Sequence, residues 1–350
     1  MSATDALRTL LGTELPLIQA PMAGAQGSAM AIAVSGAGAL GSLPCAMLAP
    51  DVMRAELRAV AATQRPCNVN FFCHAPPTPD AAAEARWRQA LGPYYAELGV
   101  DPAGIGAGAG RQPFTEAAAE LLAEFRPPVV SFHFGLPEPA LLERVRAWGA
   151  RVLASATTVD EARWLAERGV DAVIAQGLEA GGHRGHFLSH DLTAQMGTLA
   201  LVPQIVRAID KPVIAAGGIA DAQGVAAALA LGAAGVQVGT AYLLCPESTI
   251  GAPHRAALAS PEPARHTALT RLFTGRPARG IVNRVMRELG PMSDVAPAFP
   301  LATAAIAPLR AAAEARGSGD FSPLWSGQNN SGCKPVPAAQ LTRELAAGFR

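Results

Sequence analysis

The chain has 350 residues, half of them hydrophobic and 16% charged, a balance that excludes an intrinsically disordered protein and suits one large core or two modest ones. Lys plus Arg equals Asp plus Glu at 28 each, so no overall field draws the chain to nucleic acid, acidic lipid or a polyanion; any anion has to be met locally. The five cysteines are odd in number and scattered without CxxC spacing, which argues against zinc or a dithiol and fits reduced thiols.

Before Pro16 the chain carries Asp5, Arg8 and Glu14, leaving no apolar core for a secretory signal. The most apolar internal run, Val225 to Val238, is broken by Gly232 and Gly235 and is shorter than the roughly 20 residues a membrane helix needs. A cytoplasmic protein without membrane or nucleic-acid partners is expected.

Short apolar runs of β character alternate with longer Ala, Leu, Arg and Glu-rich stretches almost throughout, which predicts βαβ units and a parallel sheet. The predicted strands are Leu15–Met22, Ala39–Leu43, Cys67–Phe72, Val129–Phe134, Arg151–Ala156, Ala172–Ala175, Pro212–Ala216 and Gly235–Val238. The clearest helices are Thr158–Arg168, with Asp160 and Glu161 in its first turn and Gly169 after its end, and Asp221–Leu231 before Gly232. Eight successive units favour an α/β fold closed as a (β/α)8 TIM barrel over an open doubly wound sheet. Two segments break the rhythm. Residues 74–128, rich in Ala, Pro and Gly, read as an insertion, and 244–320 read as several helices forming a smaller, mostly helical domain over the carboxyl ends of the strands. The expected division is thus a barrel over 1–243, the helical substrate domain over 244–320, and 321–350 returning to the barrel.

The candidate site residues fall at the carboxyl ends of the predicted strands, where this fold builds its active sites. The first ends in QAPMAG, where Pro21 and Met22 could support a flat ring or simply pack. The third, CNVNFF, carries Asn70, a buried amide able to bond a ring edge or the local backbone. The fourth, VVSFHFG, alternates His133 with two phenylalanines, so His133 is either a core histidine or a substrate contact. The sixth leads through Gln176 into QGLEAGGHRGHF, where Gly181 and Gly182 open a flexible loop that delivers His183, able to act as a base or to donate a hydrogen bond to an anion. The seventh ends in Gly217 and Gly218, and the eighth runs through Gln237 and Val238 to Gly239 and Thr240; paired glycines after these strands predict a phosphate corner. His183, His186 and His190 could be read as metal ligands, but Gly185 and the lack of a carboxylate at regular spacing argue against zinc.

Taken together, QAPMAG, NVNFF, QGLEAGGHRG, AAGGIAD, GVQVGT and the late WSGQ resemble the nitronate monooxygenases, formerly called 2-nitropropane dioxygenases, over nearly the whole chain. The resemblance implies an FMN-binding barrel with a smaller helical domain. It implies FMN contacts at Asn70, Gln176, Gly181, Gly218, Gln237, Val238, Gly239 and Thr240, to which the strand-end reading adds Met22 and Gly217, and an active-site histidine at His183. It also implies oxidation of alkyl nitronates, or of nitroalkanes, with O2 through one-electron transfer to flavin, a detoxifying activity. Some members line the pocket with tyrosines and a lysine from the helical domain, whereas lysine occurs here only at Lys211 and Lys334. The alternative on the same fold is an NAD(P)H-dependent flavin reductase of quinones or enoyl thioesters, which needs no separate dinucleotide domain; a non-catalytic sensor would leave His183 unexplained. The oligomeric state is open, a homodimer being one option.

Overall fold

A computed structural model describes residues 2–106, 111–261 and 265–350. Its strands are β1 (Leu17–Gln19), β2 (Gly41–Pro44), β3 (Cys67–Phe72), β4 (Val129–His133), β5 (Arg151–Ala156), β6 (Ala172–Gln176), β7 (Gly182–His183), β8 (Val213–Ala216), β9 (Gly235–Val238), β10 (Thr267–Thr270) and β11 (Ala278–Ile281). Eight of these form one parallel sheet in the order β1-β9-β8-β6-β5-β4-β3-β2. A parallel bridge between Ile18 and Leu40 joins the first strand to the residues entering β2, so the sheet curls nearly into a closed barrel, as the alternation predicts.

Side-chain alternation sorts the strand residues into two layers. Ile18, Leu153, Ile174 and Ile214 point into the barrel, where Leu7 and Leu11 of the amino-terminal helix Ala3–Leu11 join them. Their sequence neighbours Leu17, Val152, Ala154, Val173, Val213 and Ala215 face outward against the surrounding helices. Burial on both faces is why these strands read as continuous apolar runs.

A second core lies apart from the barrel. Trp87, Leu91 and Tyr95 of the helix Ala81–Leu98 pack with Ile306 and Leu309 of the helix Ala302–Glu314, and with Leu272, Phe273 and Phe321. The Trp87 indole donates to the Ala302 carbonyl at 3.0 Å, and the Tyr95 hydroxyl donates to that of Ala305 at 2.7 Å. Residues 74–128, expected as one insertion, therefore serve two cores, because the helix Glu116–Phe125 packs on the barrel helices Pro50–Ala61 and Pro139–Ala147. Residues 244–320, expected as helices, also contain β10 and β11, which pair antiparallel with each other. Four-residue strands, one of them carrying Arg279 and Gly280, give too little alternation to be read from sequence. Among the described residues no helix is long and apolar enough to cross a membrane.

Candidate active site

The carboxyl end of the barrel opens into a cavity of about 300 Å³. One of its walls is β7, held in antiparallel register with β11, His183 opposite Ala278 and Gly182 opposite Arg279. His183 is thus carried by a paired strand and not by the flexible loop expected from its flanking glycines. Several buried groups fix this strand. The Gln176 side chain donates to the His183 carbonyl at 3.0 Å and accepts from the Gly185 amide at 2.8 Å. The wholly buried Arg184 donates to the carbonyls of Gln176 and Gly177 at 2.9 and 2.7 Å and to Gln195 Oε1 at 2.7 Å. The buried Glu161 accepts from Thr157 on one oxygen and from the amides of Phe187 and Leu188 on the other. Arg276 lies 4.0 Å over the Phe134 ring and donates to the His186 carbonyl.

His183 sits in an aromatic cage, its ring centroid 5.4 Å from that of Phe299, 5.6 Å from Trp325 and 6.0 Å from Phe134. Its Nε2 lies 2.9 Å from Thr274 Oγ1. Burial first, then the charge of Arg111, holds its imidazole well below the ordinary value of 6.5, so the ring is neutral at physiological pH. Phe134 keeps a left-handed backbone, φ 72°, unusual for so bulky a residue. That conformation holds its ring beside His133 at 4.5 Å and Phe72 at 4.9 Å.

His133 also lines the cavity, but both of its ring nitrogens are engaged: Nδ1 lies 3.0 Å from Ser155 Oγ and Nε2 lies 3.3 Å from the His183 carbonyl. Burial lowers its pKa to about 3. Asn70 donates to both the carbonyl and the hydroxyl of Ser131, at 3.1 and 2.9 Å, and its Oδ1 has no partner among the described residues. Gln237 Oε1 is buried and likewise unpartnered among them.

Met22, Gln176, Gly181, Gly217, Gly218, Gly239 and Thr240 line the same cavity. The backbone approaches closely at Gly181, where a Cβ would stand 2.5 Å from the Gly327 amide nitrogen and 2.7 Å from the Ser326 carbonyl carbon. Gly217 and Gly218 adopt φ of 114° and 74°, in the region that favours glycine. The amides of Gly218 and Gly239 donate to no acceptor among the described residues. Thr240 Oγ1 accepts from the Gly327 amide at 2.9 Å, and Asn329 donates to the Gly218 carbonyl at 2.9 Å. Val238 does not line the cavity: its side chain is buried between sheet and helices, and its carbonyl accepts from the Ala20 amide.

Residues not expected from the sequence complete the walls, chiefly Arg111, Ser131, Ser155 and Trp325, with Thr274 and Phe299 behind His183. Trp325 stands in the WSGQ motif, whereas Arg111 follows a glycine-rich stretch with no periodicity to mark it. His186 and His190 meet edge on at 5.6 Å, and among the described residues no cluster of three or more His, Cys, Asp or Glu is arranged to hold a metal. The free cysteines are all buried or partly buried, and burial pushes the Cys67 thiol up to about 12, leaving it protonated and inert.

A parallel barrel with a polar, glycine-edged cavity at the carboxyl ends of its strands defines a β/α-barrel enzyme that binds its ligand at that face. The chain belongs to the nitronate monooxygenase family, whose model matches residues 4–348, and is accordingly an oxidoreductase. It is 44% identical to a nitronate monooxygenase of Pseudomonas aeruginosa over 99% of each chain. Among solved structures it is similar to a nitroalkane oxidase from Streptomyces ansochromogenes, with a TM-score of 0.88 and 40% identity over 98% of this chain and 97% of that one. FabK from Thermotoga maritima is more distant, with a TM-score of 0.70 and 26% identity over 98% and 95% of the two chains.

Proposed function

We propose that this chain is a flavoenzyme that oxidises alkyl nitronates with O2, with FMN as its flavin. The reading is carried by one coincidence in a member of the nitronate monooxygenase family: the glycine-edged corner with free amides opens into the same cavity as a neutral, caged His183.

The residues present fit FMN. The free amides of Gly218 and Gly239, with Thr240 beside them, suit a phosphate, because unpaired N–H groups and close backbone approach need no lysine. The unpartnered Gln237 Oε1 and Asn70 Oδ1 suit the N–H and polar edge of an isoalloxazine ring. Gly181 leaves room where any side chain would collide with Ser326 and Gly327. The chemistry FMN supplies when bound is one-electron oxidation of the nitronate and reduction of O2.

The protein's own contribution is to hold the anion and keep the site dry. Thr274 Oγ1 has two partners within reach, His183 Nε2 at 2.9 Å and the Arg276 carbonyl at 3.4 Å. The 2.9 Å contact is met either by the hydroxyl donating to Nε2 or by Nε2–H donating to Oγ1 while the hydroxyl donates to the Arg276 carbonyl, and in both tautomers Nδ1 bonds to nothing among the described residues. With the proton on Nδ1, His183 offers Nδ1–H to a nitronate oxygen; with it on Nε2, the Nδ1 lone pair can take an α-proton. A preformed nitronate needs only the donor, whereas a neutral nitroalkane would first have to lose its α-proton to the base.

The test is O2 uptake by the FMN-loaded protein on addition of a small alkyl nitronate, followed together with nitrite release. Uptake accompanied by nitrite supports the reading. Uptake without nitrite, or no uptake, defeats it.

A further inference from the structure

We infer that Arg111 is the receptor for the substrate's negative charge, a specificity-determining residue that binds a planar two-oxygen anion beside His183. This rests on the proposed nitronate chemistry and adds a residue to which neither the sequence motifs nor the family match gives a role. Arg111 lies outside the barrel strands, in the segment after β3, and its backbone is tied down where it reaches the cavity. His74 Nε2 donates to its carbonyl at 3.0 Å, and three residues on, the Phe114 amide donates to the Phe72 carbonyl at the end of β3 at 2.8 Å.

The guanidinium is held from one side only. Nη1 donates to Thr303 Oγ1 at 2.9 Å, while that hydroxyl donates its own proton to the Phe273 carbonyl at 3.1 Å and so presents a lone pair to the arginine. The Phe299 ring lies 5.7 Å below the guanidinium carbon. Nε is buried and has no partner among the described residues, and none of their carboxylates pairs with Arg111. The other charged side chains lining the cavity, Arg310 and Glu314, pair with each other at 2.8 Å. Arg111, with no carboxylate to pair with among the described residues, suits an anion of its own, since a sequestered cation without a counter-ion is costly to keep. The fork of N–H donors matches two oxygens in a plane, as in a nitronate or a carboxylate. Arg111 is also the strongest charged neighbour acting on His183, so an anion held by the one lies within the field of the other.

The experiment uses FMN-loaded protein and the variants Arg111→Met, Arg111→Lys and Thr303→Val. Substrates are propane nitronate and the nitronate of 3-nitropropionate, and nitrate is a non-reacting planar anion. Arg111→Met is expected to raise KM about 10-fold to 100-fold with kcat within about threefold, and to weaken nitrate inhibition in parallel. Arg111→Lys should recover part of the loss, and Thr303→Val should fall between. A KM effect on both nitronates identifies the nitronate group as the bound anion; an effect confined to the 3-nitropropionate compound identifies its carboxylate. Unchanged KM and unchanged nitrate inhibition in Arg111→Met would overturn the inference while leaving the nitronate reading intact. Should wild-type protein turn over no nitronate, that reading fails by itself; the Arg111 site then stands if nitrate still raises the melting temperature and Arg111→Met abolishes the rise, and falls if it does not. Melting curves and bound-flavin absorbance of each variant separate loss of the anion site from loss of fold.

Discussion

His133 Nε2 lies 3.3 Å from the carbonyl oxygen of His183, and its Nδ1 lies 3.0 Å from the Ser155 hydroxyl. A carbonyl only accepts, so Nε2 carries the proton and Nδ1 accepts from Ser155, the pattern of a neutral ring fixed in one tautomer. On the proposed function, His133 therefore acts on the site through His183, as a positioning residue. His133→Ala is expected to lower kcat roughly 5-fold to 10-fold, the worth of about one buried hydrogen bond, with flavin retained. His133→Gln, which can return an N–H donor, should recover most of it. Steady-state kinetics of both variants check this, and equal losses in the two would contradict a role through hydrogen bonding.

With its imidazole held well below 6.5, His183 should give kcat/KM for a nitronate no limb near pH 6.5. If His183 serves a preformed nitronate as a hydrogen-bond donor, His183→Asn is a mild change, expected within about 10-fold because the asparagine amide can still donate. A loss of about 100-fold or more in turnover of the nitronate would show that proton transfer by His183 limits the reaction. A pH–rate profile alongside the variant's kinetics reads both outcomes.

Gly181→Ala would drive a methyl group to 2.5 Å from the Gly327 amide nitrogen and 2.7 Å from the Ser326 carbonyl carbon, both backbone atoms. The β6–β7 connection and the WSGQ segment must then part, beside the residues proposed to hold FMN. Flavin retention is expected to weaken about 10-fold or more, measured as the dissociation constant by fluorescence quenching, with the barrel's far-UV circular dichroism unchanged. Undiminished affinity would place the flavin elsewhere.

Acid should destabilise the protein through its buried histidines. Burial lowers His133 and His186 to about 3 and His254 to about 4, from an ordinary 6.5. The unfolded chain therefore binds more protons than the folded one between those values and 6.5. The stability from keeping these rings neutral is complete above pH 6.5 and is lost as pH falls toward 3 to 4. Each fully titrating ring contributes on the order of 1.4 kcal/mol per pH unit in that window. Melting temperature should fall steadily from pH 7 to pH 4.5; a flat profile would contradict the burial argument.

Much of the barrel was legible because its strands are apolar runs buried on both faces, bounded by turns: Cys67–Phe72, Arg151–Ala156 and Gly235–Val238 have the expected limits. The strand-end motifs also converge, since all the expected site residues except Val238 line one cavity. What escaped depends on contacts distant in sequence. Trp87 meets Ala302 across 215 positions, and no local pattern in 74–128 announces that partner. β7 is two residues long and owes its existence to β11, nearly a hundred residues later, so its glycines read as looseness where the pairing makes them a strand. Arg111 carries no periodic or motif signal; only the cavity gives it meaning.

The central claim is tested most directly by the absorbance of the FMN-loaded protein under anaerobic conditions, mixed in separate cuvettes with a small alkyl nitronate and with NADH or NADPH. The account predicts rapid bleaching with the nitronate and none with the nicotinamides. Rapid full bleaching by NADH or NADPH with no response to nitronate would contradict it, and would assign a reductase to the same barrel.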